Sequence, residues 1–354
     1  MERIDILAAL SQVSSLRYEQ IAHIDLSNGE DFNTPGAWEH EHGVAPSLAY
    51  TLAKAVAKHD PVRFGADLAA AHCRVISIGD SEYPSQLLEL YRPPLILYLQ
   101  GTIAALSAMS VVGSRKPTPY GRQVVETFVP PLVASGITIV SGLAQGVDTL
   151  AHVVTLRCGG TTIAVLGSGL DRIYPHVNRH LATRIVEAGG AVISEYCPGT
   201  PPLKHHFPAR NRIVSGLSRG VIIVEGDIHS GSLITAEHAM EQGRDVFAVP
   251  GNIFSPQSRG PNRLIVQGAI PLLAPSNLLE YYGLDTGAKP EVKAFSTEEQ
   301  LILTALGHEP RDVDEIIQRA GLPVTLVAAK LVELEVAGAV QRQPGGLYIQ
   351  LRIG

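Results

Sequence analysis

The sequence predicts an α/β protein with a doubly wound, mostly parallel β-sheet. From Ser110 onward there are six short runs rich in β-branched residues, nearly all of which end in glycine or a small polar residue, and helical segments separate most of them. A regular alternation of this kind gives a parallel sheet that is covered by helices on both faces. Ligands of such sheets bind beyond the carboxyl ends of the strands. The six runs are SVVG, ITIVSG, TTIAVLGSG, AVISE, GVIIVEG and DVFAVPG.

Two smaller domains are predicted on either side of this Rossmann-like region. Between Ile4 and Ala70, apolar residues at three- and four-residue steps predict short helices that glycine and proline interrupt. Ser296 and Glu299 form a capping-box pattern, after which three helical segments and a hairpin around Pro344 predict a winged helix. The predicted division is 1–75 for a small helical domain, 76–283 for the Rossmann-like domain, 284–295 for a linker and 296–354 for the winged-helix domain.

The 354-residue chain has a formal net charge of −6, but that charge is unevenly distributed. Residues 1–109 carry a net charge of −6, residues 110–275 carry +4, and residues 276–354 carry −4. Contact with phosphates depends on the local field rather than on total charge. The distribution therefore predicts that the middle region alone contacts nucleic acid.

Composition argues against several classes of protein. Cys73, Cys158 and Cys197 are widely spaced and form no CxxC pair, so neither a disulfide framework nor a zinc site is indicated. The N-terminus lacks the apolar region of a signal peptide, and no run of 18 apolar residues occurs. We expect a cytoplasmic protein with reduced cysteines that contacts no membrane and carries neither metal nor cofactor.

The segment KHHFPARNRIVSGLSRG, residues 204–220, is the main candidate for contact with a nucleic acid. Between Glu195 and Glu225 the formal charges are all positive, and Phe207 lies among them as an aromatic ring without a polar group. Positive charge beside a flat apolar ring suits a phosphate-linked polymer whose bases can stack. The alternative is a solvated helix whose arginines pair with carboxylates elsewhere. The four basic residues are Lys204, Arg210, Arg212 and Arg219.

Glycine-bearing turns follow several of the predicted strands. GVIIVEG, in particular, precedes a helix that opens with small residues, and a helix N-terminus beside such a loop favours an anion. Several turns of this kind at one sheet edge form a stronger signal than any one alone, since a single glycine can be no more than a tight turn. These turns are 113–116, 141–146, 167–169 and 230–232.

Nucleotide cofactors are not supported by the motifs. SGLAQG has G-x-x-x-G spacing rather than G-x-G-x-x-G, and no GxxxxGK[ST] loop occurs. Asp148 follows that glycine loop at a helix start, where we expect it to be a structural cap. In the winged helix, the third helix offers Lys330 against Glu333 and Glu335, a poor composition for a major-groove reader.

Ordered motifs between Tyr83 and Leu273 resemble one known family. They are VVGSRKPTPYG, SGLAQGVDTLAH, AVLGSGLDRIYP, ISEY, FPARNRIVSGLS, SGSLITAEHA, GRDVFAVPG and GPNRLIVQGA. In this order they resemble the DNA-processing protein A family (DprA, also called Smf), the recombination mediator of bacterial natural transformation. The resemblance implies a non-enzymatic homodimer that binds and protects single-stranded DNA and loads RecA onto it.

The resemblance also implies which residues contact DNA. Arg115 and Lys204 would neutralise phosphates, Phe207 would stack a base, and the loop that begins at Ser230 would supply backbone donors. The chain departs from many relatives at His176, where they carry a basic residue, so a contact there would be weaker or dependent on pH. The glycine-bearing turns and the resemblance together predict this DNA-binding set: Gly113, Ser114, Arg115, Lys116, Gly142, Gly146, His176, Lys204, Phe207, Arg210, Asn211, Ser230, Gly231, Ser232 and Thr235.

An enzyme is the main alternative. The lysine-decarboxylase-like phosphoribohydrolases share the Rossmann-like architecture, and SGSLITAEHA lies where they carry a PGGxGTxxE motif, with Glu237 in place of their acid. The Pro-Gly-Gly start is absent here, and the glycines do not fit that spacing. A DNA-binding protein without catalytic residues is therefore the favoured interpretation.

Overall fold

A computed structural model describes most of the chain, in two compact units. The units are Met1–Thr286 and Gly287–Gly354. The described residues are 1–13, 16–27, 31–103, 107–284, 295–307, 309–336, 339–343 and 345–350, without the side chain of Val336. Most of the predicted linker, residues 285–294, lies outside them.

The first unit contains a nine-stranded sheet in the order β1-β2-β6-β5-β4-β3-β7-β8-β9. The pairs β1–β2 and β2–β6 are antiparallel, and all the other pairs are parallel. The predicted α/β class and mostly parallel sheet are confirmed. The six predicted runs form β3 to β8, β1 and β2 precede them, and the short strand β9 follows them. The strands are β1 Arg74–Ser77, β2 Ile96–Gly101, β3 Ala108–Val112, β4 Thr138–Ser141, β5 Thr162–Leu166, β6 Ala191–Ser194, β7 Gly220–Ile223, β8 Asp245–Ala248 and β9 Ile270–Pro271.

Helices cover both faces of the sheet. In β3, Met109 and Val111 pack in a core with α5, α6 and α11, whereas Ala108 and Val112 belong to the core that contains α8, α9 and α10. Alternate residues of a strand point to opposite faces, so a strand buried on both sides is apolar throughout. The helices of this unit are α1 Arg3–Leu10, α2 Pro35–Glu39, α3 Pro46–Lys58, α4 Pro61–Ala70, α5 Pro119–Ala134, α6 Val147–Arg157, α7 Arg179–Glu187, α8 His206–Gly216, α9 Gly231–Glu241, α10 Arg259–Val266 and α11 Pro275–Tyr281.

The strand order reverses between β3 and β7. From β3 the chain builds outward through β4, β5 and β6, and it then returns to the other side of β3 to form β7, β8 and β9. The loops that follow β3 and β7 therefore diverge, and a crevice opens between them at the carboxyl edge of the sheet.

The N-terminal helices share one continuous apolar core with the sheet. Trp38 and Leu52 are fully buried in the same cluster as Ile163 of the central strand β5. The Phe64 ring lies 6.3 Å from the ring of Tyr98 on β2, in an edge-on arrangement. These contacts couple helices α1–α4 to the sheet. The predicted domain boundary at residue 75 stays a prediction.

The second unit is a winged helix, as the sequence predicts. The backbone N–H of Glu299 donates to Ser296 Oγ at 3.3 Å and that of Ser296 donates to Glu299 Oε2 at 2.8 Å, so the predicted capping box forms. Pro344 of the predicted turn lies outside the described residues. The elements are α12 Thr297–Leu306, α13 Val313–Ala320, α14 Val324–Val336, β10 Val340–Arg342 and β11 Tyr348–Gln350.

Membrane spanning finds no support in the helices that the structure describes. None of them is both long enough and apolar enough to cross a bilayer.

The shared core predicts that the N-terminal helices and the sheet unfold together. Ile163→Ala should lower the free energy of unfolding by about 2–5 kcal/mol, because a large buried side chain is removed from a close-packed strand. Trp38 is the single tryptophan of the chain and lies in the N-terminal helices, so its fluorescence during urea unfolding reports the loss there. Val62→Ala, at a side chain that is 84% exposed, is the control. An unchanged Trp38 transition in Ile163→Ala would show that the helices unfold independently.

Candidate nucleic-acid interface

A cleft of about 410 Å³ opens at the carboxyl edge of the sheet, where the strand order reverses. Loops after β3, β4 and β5 form one part of its lining, and helices α8 and α9 form the other. The lining residues are Val112, Gly113, Arg115, Gly142, Ala144, Asp148, Tyr174, Lys204, Phe207, Pro208, Arg210, Asn211, Val214, Gly231, Ser232, Ile234 and Thr235.

Most of the residues that the sequence singles out line this cleft, and a minority do not. Ten of them are among the lining residues: Gly113, Arg115, Gly142, Lys204, Phe207, Arg210, Asn211, Gly231, Ser232 and Thr235. The five that do not line it are Ser114, Lys116, Gly146, His176 and Ser230. Ser114 is buried, and its Oγ accepts from the backbone N–H of Lys116 at 3.1 Å, so it shapes the loop after β3. Lys116 and His176 are exposed outside the cleft.

An aromatic pair and a cation form the exposed part of the cleft. The rings of Tyr174 and Phe207 are 5.5 Å apart at 46°, and the guanidinium carbon of Arg115 lies 5.9 Å from the centre of the Phe207 ring. Tyr174 is 44% exposed. Sequence reasoning missed Tyr174, although a tyrosine in the loop after a predicted strand is a usable signal. Flat rings beside a cation can stack a base while the cation meets a phosphate.

The cations at the mouth of the cleft are unpaired. Arg115 and Lys204 are exposed, and neither has a carboxylate partner within 4 Å in the part of the chain that the structure describes. Lys204 lies directly before α8, which carries Phe207. These two side chains are therefore available to an incoming anion.

The rest of the basic segment has other partners. Arg212 forms an ion pair with Glu195, and Arg219 stacks its guanidinium over the ring of Tyr282 at 4.3 Å. The alternative left open by the sequence, that arginines of this segment pair with carboxylates elsewhere, is correct for Arg212. Of the four basic residues, Lys204 alone is an exposed lining residue.

Arg210 lines the cleft from below, as a buried side chain. It is 4% exposed, and its Nη1 donates to the backbone oxygen of Val165 at the end of β5. Its Nε is buried and has no hydrogen-bond partner among the residues that the structure describes. The expectation that Arg210 contributes to a DNA pocket stays a prediction, and its burial favours a supporting role over direct contact with phosphate.

Arg210 and Asp148 determine the shape of the loop between β4 and α6. A Cβ atom at Gly142 would lie 2.1 Å from Nη1 of Arg210, so a side chain at that position would force the guanidinium out of its present place. The Asp148 carboxylate accepts from the backbone N–H groups of Gly142 at 3.2 Å and of Ala144 at 3.4 Å. Asp148 is thus structural, as expected, although it holds the preceding loop rather than acting as the N-cap of α6, a position that Gly146 occupies.

That loop in turn supports the backbone of Arg115. Gly146 has φ +87°, and a Cβ there would lie 2.3 Å from the oxygen of Ser114 and 2.6 Å from the carbonyl carbon of Arg115. The backbone N–H of Val147 also donates to Ser114 O at 3.1 Å. A chain of contacts therefore runs from buried Arg210 to exposed Arg115.

Burial shifts the pKa of each ionisable group beneath the cleft. It raises the pKa of Asp148 to about 6, against the opposing effects of Arg210 and the two backbone donors. It lowers the pKa of Arg210 to about 10, with Asp148 acting in the opposite direction. It lowers the pKa of His152 to about 3, with Arg210 adding to the effect, so His152 is neutral near pH 7.

The N-terminus of α9 opens at the cleft. Ser230 caps this helix, since its Oγ accepts from the backbone N–H of Ser232 at 3.4 Å. Asn211 Nδ2 donates to Gly231 O at 3.2 Å and so ties α8 to the first turn of α9. Unpaired N–H groups and the positive end of the helix dipole at such a terminus favour an anion.

Glu225, in the loop after β7, contacts the loop after the neighbouring strand β3 and holds it in place. Its buried carboxylate follows β7 and accepts from both the backbone N–H of Thr118, at 2.9 Å, and the Thr118 hydroxyl. Thr118 is the N-cap of α5. A carboxylate of the chain itself therefore lies at the start of α5.

A metal site and a DNA-binding site on the winged helix both find little support. In the described part of the chain, no group of three His, Cys, Asp or Glu side chains could hold a metal ion. In the winged helix, the Lys330 ammonium is 2.6 Å from a carboxylate oxygen of Glu333 and 3.5 Å from one of Glu299. Lys330 is therefore already neutralised within its own unit.

Architecture and sequence together define a Rossmann-like α/β protein that is joined to a winged helix. The family model for DNA recombination-mediator protein A matches residues 74–283, and the model for the DprA winged helix domain matches residues 287–346. The chain belongs to the DprA family of DNA recombination mediators.

Individual relatives support this assignment. Protein Smf of Escherichia coli is 45% identical over 287 residues, which cover 77% of this chain and 76% of that protein. The structure of DprA from Streptococcus pneumoniae covers 79% of this chain and 98% of its own, with a TM-score of 0.65 and 35% identity. The Helicobacter pylori protein, described for its single-stranded DNA binding mode, covers 60% of this chain and 97% of its own, with a TM-score of 0.54 and 32% identity.

The raised pKa of Asp148 predicts a dependence of stability on pH. Between the ordinary value of 3.8 and about 6, the folded protein holds a proton that the unfolded chain releases. The free energy of unfolding of the wild type should therefore fall relative to that of Asp148→Asn as the pH rises from about 4 to about 6. Urea unfolding of both proteins, followed by Trp38 fluorescence across this range, measures the difference. A difference that stays constant with pH would contradict the raised pKa.

Proposed function

We propose that this protein is a cytoplasmic, single-stranded DNA-binding recombination mediator. In this proposal it protects incoming DNA and loads RecA onto it during natural transformation and homologous recombination. The main supporting observation is the cleft that brings exposed, unpaired Arg115 and Lys204 beside the ring of Phe207. Membership of the DprA family and the single-stranded DNA binding mode described for the Helicobacter pylori relative agree with this reading.

Each part of the cleft has a distinct role in the proposal. Arg115 and Lys204 neutralise phosphates and release counterions, which makes binding dependent on salt. Phe207, supported by Tyr174, stacks an unpaired base, and the first turn of α9 donates backbone N–H groups to a phosphate. None of these contacts reads the edge of a base, so binding has little sequence preference.

The cleft geometry favours single strands over duplex. Phe207 is only partly exposed, and its ring packs against Tyr174 within the cleft. A base must leave its own stack to reach such a ring, and in a duplex this costs unpairing and unstacking. The expected affinity for single strands is therefore much higher than for blunt duplex.

In this proposal the protein binds DNA and does not catalyse a reaction at the cleft. Glu237, the counterpart of the hydrolase acid, is exposed on α9 and is not among the residues that line the cleft. The carboxylate that does line it, Asp148, is engaged by two backbone N–H groups and lies next to Arg210. Incubation with nucleoside monophosphates should therefore release no free base, and release of base would support the phosphoribohydrolase alternative.

Substitutions should separate the phosphate contacts from the stacking contact. Arg115→Ala and Lys204→Ala should each weaken binding to oligothymidylate and reduce the slope of log affinity against log salt by about 1. Phe207→Ala should cost roughly 1–3 kcal/mol with little change in slope. Fluorescence anisotropy across a salt series measures both quantities.

Lys330→Ala is the control for this series, because Lys330 is paired with carboxylates of the winged helix. It should bind like the wild type. A large loss with Lys330→Ala, together with intact binding by folded Arg115, Lys204 and Phe207 variants, would move the DNA site to the winged-helix unit.

RecA loading and homodimerisation are the further parts of the proposal. Two clefts on one dimer can hold one strand with a higher avidity than either cleft alone. Sedimentation should show a dimer at micromolar concentrations, and the protein should accelerate RecA filament formation on strands coated with single-strand-binding protein. A monomer that leaves RecA assembly unchanged would overturn this part while leaving DNA binding in place.

A further inference from the structure

The loop between β8 and α10 displays large apolar side chains to solvent at the same edge of the sheet as the cleft. Phe254 is 84% exposed and its neighbour Ile253 is 74% exposed. Adjacent exposed apolar residues of this size indicate a surface that contacts a ligand or partner.

Hydrogen bonds to two asparagine side chains hold the backbone of the loop that carries Phe254. The side chain of Asn252 accepts from the backbone N–H of Phe254 at 2.9 Å. The side chain of Asn262, on α10, accepts from Gly251 N at 3.1 Å and donates to Gly251 O at 3.0 Å. An aromatic ring on a fixed loop loses little conformational entropy when a partner binds it.

The charge around this loop is positive. Between Asp245 and Glu280 the formal charges are Arg259 and Arg263, so this segment repeats the pattern of Phe207 and its acid-free basic neighbours. Arg259 and Arg263 are exposed one turn apart on α10, and no carboxylate partner lies within 4 Å of either in the described ranges. A polyanion fits such a surface better than a neutral or basic protein face does.

The loop is continuous with the wall of the cleft. The backbone N–H of Gly226, in the loop after β7, donates to Gln257 O at 2.7 Å, and that of Gly260 donates to Gly226 O at 2.8 Å. Tyr120, in the first turn of α5, donates its hydroxyl to Pro250 O at 2.6 Å. The loops after β3, β7 and β8 thus form one hydrogen-bonded rim.

The spacing between strands β5 and β8, whose following loops contact Phe207 and carry Phe254, suits a few nucleotides of extended strand. Phe207 packs next to Gly167, directly after β5, where a Cβ would lie 3.1 Å from the ring. From β5 to β8 the sheet advances by four strands, through β4, β3 and β7. At about 4.8 Å for each strand, this distance is ~19 Å.

We propose that Phe254 and Arg259 form a second subsite for single-stranded DNA, in which Phe254 stacks a base and Arg259 meets a phosphate. The strand enters this subsite after it leaves the cleft and passes along the rim of the sheet. This inference rests on the proposed function of the cleft, and it extends the footprint of one protomer beyond the cleft.

The test compares oligothymidylates of two lengths, about 6 and about 12 nucleotides, in anisotropy titrations. Phe254→Ala should weaken binding of the longer strand by about 5- to 100-fold and leave the shorter strand unaffected. Phe254→Trp should retain binding, because it keeps a stacking surface. Arg259→Ala should weaken binding of the longer strand and reduce its salt slope by about 1.

Ile253→Ala is the matched control, because it removes exposed apolar area from the same loop without removing an aromatic ring. It should bind both strands like the wild type. Phe207→Ala should weaken binding at both lengths. All these variants should keep the wild-type Trp38 unfolding transition, since the altered side chains are on the surface or at the cleft.

The outcomes distinguish this subsite from the cleft. If Phe207→Ala weakens both strands and Phe254→Ala weakens neither, the second subsite is overturned and the cleft stands. If Phe207→Ala weakens neither strand, the proposed function of the cleft fails. If Phe254→Ala binds both strands normally but impairs self-association or RecA assembly, the loop is a protein-docking surface and the DNA subsite is overturned.

Discussion

The cleft depends on a buried guanidinium beneath the loop between β4 and α6. Arg210 passes where any side chain at Gly142 would collide with it, and Asp148 holds the same loop through two backbone N–H groups. Burying a charge is costly unless other groups compensate it, and here a carbonyl and a nearby carboxylate do so. The loop then supports Ser114 and Arg115 from below. The position of the exposed Arg115 therefore depends on the buried Arg210.

The sequence was sufficient for the fold class because its periodicity is strong. Runs such as TTIAVLGSG have apolar residues on both faces, and only a strand covered by helices on each side accommodates this pattern. Glycine after several of the strands predicted that ligands bind at the carboxyl edge, since the loops at the carboxyl ends of parallel strands meet there. The short strand β9 was missed, because its two residues, Ile270 and Pro271, carry no recognisable period.

The candidate site was only partly predictable, because the net charge of a segment does not show in which direction each basic side chain points. Four basic residues follow one another between Glu195 and Glu225, yet helix α8 turns Arg212 toward Glu195 and Arg210 into the interior. Lys204 alone among them is left at the surface of the cleft. Tyr174 reaches Phe207 from a loop more than 30 residues earlier in the chain. The position of Tyr174 after a predicted strand indicates the cleft, but its contact with Phe207 depends on tertiary packing and could not be predicted from the sequence.

Two helices, α5 and α9, begin at the strand reversal, and Glu225 makes their N-termini differ in how they interact with a phosphate. In dinucleotide-binding relatives of this architecture, the helix after the first strand of the parallel sheet receives a pyrophosphate. Here the start of α5 holds the chain's own carboxylate, bound to Thr118, whereas the start of α9 is capped by the neutral hydroxyl of Ser230. An approaching phosphate is repelled at the first helix and attracted at the second. The two walls of the crevice therefore differ in their electrostatic preference for an anion, although other proteins of this architecture bind a pyrophosphate at the first of these helices.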